Sequence, residues 1–393
     1  MLGLAVAVIL MTAVTAGAAP ERSAACAAPK PLPASLKRPP AGASATQLAN
    51  FLLALPQRKP CDVNLFTSTF ANGTAGFYPQ GTPMQPVAGS PSMDAQVRAE
   101  LVAFMEGSDA KTAALALYDR ADVRTKVPLP TLRAALASLH GSVAEPVIAY
   151  FLSRPYVVRF GSLPGSFALA AITGQDPQVM TFNRRYEGEH FALWSGVFAH
   201  EVLHHDRGPA SATEEVILNT LNNVVHMTVL ARRPKLATSG TELSRQTNSW
   251  AVVLVNSRVP GSAKSAIIAP KGKGTLPGSA MSQPDLWSHG KDFHALGYPA
   301  KASDSSPAPP VFAALLRRIL APGVALPKPL TYSKKTAELF SKMNDTWLSP
   351  VDRLRVSVLL GLVSMEEIVK YTGLTRPKAI TMFRLAPILA AMK

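Results

Sequence analysis

Cysteine is almost missing from this chain: Cys26 and Cys61 are the only two in 393 residues. Both lie in a Pro/Ala-rich stretch near the start, away from every histidine, so cysteine is not expected as a ligand of a histidine metal site. Acidic residues are also scarce, 25 Asp plus Glu against 40 Lys plus Arg, a net charge of 40 − 25 = +15. That surplus would suit a polyanion, but it is spread along the chain rather than gathered into a stripe, and nucleic acid is set aside as a partner. Charged residues make up only 17% against 47% hydrophobic, a balance that excludes a disordered chain. No internal repeat is evident, and 34 prolines imply long non-regular connections between helices.

One more absence concerns the first segment, MLGLAVAVILMTAVTAGAAPERS, where no Lys or Arg precedes the apolar run. Its Ala16-Gly17-Ala18 offers the small-x-small pattern of a signal-peptidase site, and the run is also long enough to stay as an anchor. Residues 1–19 are therefore expected to be a signal peptide or membrane anchor, giving a secreted or membrane-tethered protein. In that oxidising setting Cys26 and Cys61 are expected to form one disulfide. Ser23-Ala24-Ala25-Cys26 is a poor lipobox, lacking a branched apolar residue three before the cysteine.

The expected fold class is α+β, mostly helical. Residues 20–90 read as a Pro/Ala-rich arm, with the first clear helix after Ser92-Met93-Asp94. Region 91–152 is helical, carrying AQVRAELVAFMEG at 95–107, LPTLRAALASLHG at 129–141, and AEPVIAYFL after it. Three short β-rich runs follow, YVVRFG at 156–161, FALAAI at 167–172 and VMTFN at 179–183. They open a metal-binding core spanning 153–235. Gly/Pro-rich loops are expected over 236–310 and a helical region over 311–393.

The densest chemistry is FAHEVLHHD at 198–206, which holds three of the chain's eight histidines. Within it His200-Glu201-Val202-Leu203-His204 is H-E-x-x-H, whose histidines, four apart on a helix, point the same way and can share one zinc. At about 100° per residue, the apolar Phe191, Phe198, Ala199, Val202 and Leu203 fall on the other side, so the histidines are expected to face a cleft. After Gly208-Pro209, Ser211 to Glu214 reads as a capping box starting a second helix, EEVILNTLNNVVHMTVL. The short loop favours an antiparallel pair, which sets Glu215 level with His204 and Asn219 level with His200. Glu214 turns roughly 100° away, toward Ile217, Leu218 and Leu221. Glu215 is the expected third ligand and Asn219 the group that orients a ligand histidine. His205 and Asp206 read as a polar end of the first helix.

H200-E-V-L-H204 followed by E215-V-I-L-N219 resembles the gluzincin branch of the zincin metallopeptidases, with Asn219 where that family often has Asp. The resemblance covers roughly residues 155–230. It implies a zinc peptidase acting on a peptide or protein substrate. Zinc would polarise the scissile carbonyl and lower the pKa of a water toward ~7, with Glu201 as general base. It also implies that the strand at Val179 to Asn183 forms an edge for extended substrate. The residue that steadies the oxyanion is open among Tyr186, His226, His289, His294 and Tyr332.

Two alternatives stand beside this reading. SMEEIVKYTGLTRPKAITMFRL at 364–385 resembles a helix-turn-helix, with a capping box from Ser364 to Glu367, Gly373 at the turn, and Arg376 and Lys378 opening the recognition helix. The chain would then be a cytoplasmic DNA-binding regulator. The other alternative is a zincin-fold binding protein without turnover.

Overall fold

The computed structural model describes residues 32, 34, 36–55, 91–163, 169–174, 176–204, 212–238, 242–257 and 307–392. Helix α1, Ala45–Leu53, stands inside the stretch expected to be an arm. Its start is a reciprocal capping box: Ser44 Oγ accepts from the Gln47 N–H at 3.3 Å and Gln47 Oε1 accepts from the Ser44 N–H at 2.8 Å. It buries Leu48, Ala49, Phe51 and Leu52. The expectation that helices begin only after Asp94 is thus corrected: one well-capped apolar face is enough to fix nine residues against a core, whatever the composition around them.

Helices α2 (Pro91–Phe104), α3 (Ser108–Asp119), α4 (Ala121–Lys126), α5 (Pro130–Ala137) and α6 (Pro146–Leu152) form the helical region before the sheet. Prolines at the first turn of α5 and α6 sit where no intrahelical donor is needed. Arg133 of α5, nearly fully buried, is held by Asp94 Oδ1 and lies over the Tyr118 ring, tying α5 to α2 and α3.

Strands β1 (Tyr156–Gly161), β2 (Ala170–Thr173) and β3 (Gln178–Asn183) make one sheet in the order β1-β3-β2. β1 runs parallel to β3 from Tyr156↔Gln178, and β2 runs antiparallel to it from Ala170↔Phe182. The strand at Val179 to Asn183 is consequently central, which corrects the expectation of an edge. Its near-continuous burial is what a strand paired on both sides shows, whereas the small, half-buried Ala170 and Ala171 suit the edge. In β1 the alternation is clean, with Tyr156, Val158 and Phe160 inward and Val157 and Arg159 outward.

The sheet packs on α7, Phe191–Leu203, all 13 residues of which are buried. Trp194 lies edge-on to Phe160 and Phe182, and Phe198 stacks on Phe182. Such a helix, apolar all round apart from its end, belongs to an interior rather than a cleft wall. Helix α8, Ala212–Arg232, packs along α7, and α9, Glu242–Ser257, packs on α8. α9 corrects the reading of 236–310 as loop, since Leu243, Trp250, Ala251 and Leu254 give it a buried face.

The C-terminal part contributes α10 (Pro310–Ile319), α11 (Lys334–Ala337), α12 (Pro350–Leu359), α13 (Met365–Thr372), α14 (Arg376–Met382) and α15 (Ala386–Ala391). α13 starts on the expected box, Ser364 with Glu367, and ends at Gly373 in the left-handed conformation, φ 72°. α14 follows it, with Arg376 and Lys378 exposed. Among the described residues no helix is long and apolar enough to cross a membrane. The segment 1–19 and both cysteines lie outside the described residues.

Candidate metal centre

α7 ends at Leu203, and His204 is its C-cap, with extended backbone but its N–H still on the Glu201 carbonyl at 3.3 Å. The His200 and His204 rings meet edge to face, Nε2 to Nε2 at 3.0 Å. From the first turn of α8 the Glu215 carboxylate reaches both, Oε2 at 3.3 Å from His200 Nε2 and Oε1 at 3.5 Å from His204 Nε2. Glu201 Oε2 stands 4.0 Å from His204 Nε2 and has no hydrogen-bond partner. All four side chains are buried. The group His200, Glu201 and His204 could hold a metal ion.

Glu214 occupies a position that helix phase did not foresee. Its Oε1 lies 3.1 Å from His204 Nδ1, so it holds the outer edge of the ring whose inner edge faces Glu215. An imidazole offers nitrogens on two edges, and His204, standing just off the end of α7, presents one to each glutamate. Two side chains 100° apart on α8 can therefore both reach it. A carboxylate on the far nitrogen fixes the tautomer that leaves Nε2 free for a metal.

Asn219 is corrected in its role. Its Nδ2 donates to the Glu215 backbone carbonyl at 2.9 Å and lies 3.4 Å from Glu215 Oε2, so it steadies the carboxylate rather than a histidine. One turn separates residues 215 and 219 on the same helix, which puts the two side chains within reach of each other.

The electrostatics are those of an anionic pocket. Burial alone would push His204 down, but Glu215, Glu214 and Glu201 outweigh it and raise its pKa to about 10. Burial raises the Glu201 carboxyl. The same carboxylate charge that draws a proton onto His204 would attract a cation in its place.

Tyr332 arrives from 129 residues away to donate its hydroxyl to the Leu203 carbonyl, closing the end of α7. It is fully buried, and that burial, with Glu214 nearby, raises its pKa well above normal. The sequence offered it, with Tyr186, as a group to steady the oxyanion, and gave no sign that it caps α7. His205, Asp206, His289 and His294 lie outside the described residues.

His226 sits away from the centre. It is 226 − 215 = 11 residues beyond Glu215, about 16 Å along α8, with Nε2 3.1 Å from Asn248 Oδ1. Burial lowers its pKa from 6.5 to about 4, partly offset by that contact. In the unfolded chain the ring takes up its proton near pH 6.5. The stability gained by keeping it neutral is complete above that pH and lost as pH falls toward 4, by up to about 3 kcal/mol. His190, also lowered by burial, adds to the same acid limb. Chemical unfolding from pH 7 to 4 should therefore show a shallower loss in His226→Gln than in wild type; equal slopes would reject the assignment.

Compared with the models of known families, with curated proteins and with solved structures, the chain shows no match, and the reading of the site rests on its geometry.

Proposed function

We propose that the protein is a zinc-dependent hydrolase, most simply a metallopeptidase, with His200, His204 and Glu215 as ligands and Glu201 as general base. One observation carries the proposal. Zinc bonds of about 2.0–2.2 Å to imidazole nitrogen and carboxylate oxygen, arranged tetrahedrally, need ligand atoms about 3.3–3.6 Å apart. Here His200 Nε2 lies 3.3 Å from Glu215 Oε2 and His204 Nε2 3.5 Å from Glu215 Oε1, while the two Nε2 atoms, 3.0 Å apart, stand slightly closer than that span. Glu201, its Oε2 4.0 Å from His204 Nε2, is the more distant carboxylate and is left for the chemistry, so that three protein ligands would leave a fourth position open, as in catalytic sites.

A bound zinc ion would supply Lewis acidity, polarising a carbonyl and easing the deprotonation of water. The chain's own residues then divide the remaining work. Glu201, with a raised pKa and an Oε2 that accepts no hydrogen bond, is suited to take a proton from water and pass it to a leaving amine. Glu214 holds His204, and Asn219 holds Glu215. The substrate of this reading is a peptide or protein. The apolar segment 1–19 supports placing the enzyme outside the cytoplasm, exported or membrane-tethered.

The Glu201→Gln variant tests the chemistry. It should retain zinc by elemental analysis while hydrolysis of a mixed peptide library falls by about 100-fold or more, the scale of general acid-base catalysis. Equal hydrolysis by wild type and variant would remove Glu201 from the reaction, and absence of hydrolysis by zinc-loaded wild type would favour a binding protein.

A further inference from the structure

At the far end of α8 from the metal centre, a cavity of about 400 Å³ opens between that helix, the turn at 141–143, α10 and the start of α12. Arg232, Arg318, Arg355 and Arg384 line it against Glu106 and Asp352, and with Glu145, which pairs with Arg318, the excess is 4 − 3 = 1 positive charge. Arg232 is 17 residues past Glu215 on one helix, about 26 Å away, so no small ligand occupies both places.

The protein leaves these guanidinium groups with unused donors. Arg232 is 15% exposed and makes no hydrogen bond among the described residues. Its nearest acid, Glu106, stands 3.6 Å away and is itself 67% exposed. Arg355 and Arg384 share a single oxygen, Asp352 Oδ1, at 2.7 and 3.0 Å. Arg355 Nε is buried without an acceptor, and so is Nε1 of Trp347 in the same wall. Arg318, at the rim, pairs with Glu145 at 3.0 Å.

Desolvating a guanidinium without giving it an acceptor is costly, and Arg232 and Arg355, 15% and 12% exposed and facing one hollow, point to an anion that completes them. Guanidinium forks match tetrahedral oxyanions in pairs. A carboxylate offers two acceptor oxygens, whereas a phosphate monoester offers three strong ones and so can serve several guanidinium groups at once.

We propose that this cavity binds a phosphate group, carried by a small soluble ester or by a lipid headgroup. The site is independent of the metal centre and stands or falls separately from the hydrolase reading. Isothermal titration of the full chain with inorganic phosphate, at constant ionic strength, should give saturable binding of one phosphate. Affinity should fall about tenfold in Arg232→Gln and in Arg384→Gln. Arg384 is 63% exposed, so its variant should unfold at the wild-type temperature without phosphate, keeping the test valid should Arg232→Gln fold poorly. Sedimentation with phosphatidic acid vesicles, reduced by the same substitutions, would place the phosphate on a lipid. Soluble phosphate binding without vesicle binding would place it on a soluble ester. Neither phosphate nor vesicle binding, or binding that both variants leave unchanged, overturns the proposal.

Discussion

The Glu215→Ala variant is expected to lose its metal under dialysis that leaves one zinc on each wild-type chain. Among the described residues Glu215 is the one carboxylate within 3.5 Å of both Nε2 atoms, and its removal leaves only the two imidazoles of the three expected ligands. Loss of an outer partner of a ligand costs about 10–100-fold in metal affinity, and loss of the ligand itself should exceed that. Asn219→Ala, which frees the Glu215 carboxylate to rotate, should fall within the 10–100-fold range. Competition with a chelator of known affinity measures all three proteins on one scale. Metal binding also contributes to folding, so chelation should lower the unfolding temperature of wild type and leave Glu215→Ala unmoved. A wild-type chain that carries no zinc, or a Glu215→Ala variant that keeps it, would end the three-ligand assignment.

Gly196→Ala should destabilise the protein, although glycine to alanine in a helix ordinarily stabilises by about 0.5–1 kcal/mol. A Cβ at position 196 would lie 2.1 Å from Asn222 Oδ1 and 2.7 Å from the Asn222 carbonyl oxygen. Those distances force α7 and α8 apart one turn before His200. Overpacking of this kind costs about 1–3 kcal/mol, sometimes more. Because one of the two clashes is with backbone, Asn222→Ala should restore only part of the loss. Denaturant midpoints of the single and double variants decide it: a Gly196→Ala protein as stable as wild type would mean that the helices separate without cost. Zinc affinity should fall in parallel, since ligands on both helices are displaced.

Much of the centre was legible in the residues themselves. H-E-x-x-H fixes two rings on one helix face, and helix phase put Glu215 opposite them. Phase failed for Glu214 because His204 stands beyond the last turn of α7, where 100° per residue no longer describes which way a ring points. It failed also for the environment: Phe191 to Val202 read as one apolar face, but the whole helix is enclosed, with the sheet, α8 and α5 packed around it. Pairing order was equally out of reach. β3 reads like β1 along the chain, and only tertiary pairing decides which of them is central. Tyr332 lies in the sequence among prolines and lysines, and nothing there ties it to a carbonyl 129 residues earlier. α1 and α9 were hidden by composition, since the sparse apolar positions of each are enough for a buried face while their surroundings read as linker.

The packing of α1 against α12 gives the chain a particular order of assembly. Ala45–Leu53 is made early, and the helix that covers it, Pro350–Leu359, comes about three hundred residues later. Until that second stretch has emerged, α1 has no α12 to pack against, and its native packing waits for the later part of the chain. Closing so long a loop adds only slowly to the entropic cost of the native state, but contacts this distant retard its formation. The contact between α1 and α12 thus works as a clasp between the early and late parts of the described chain.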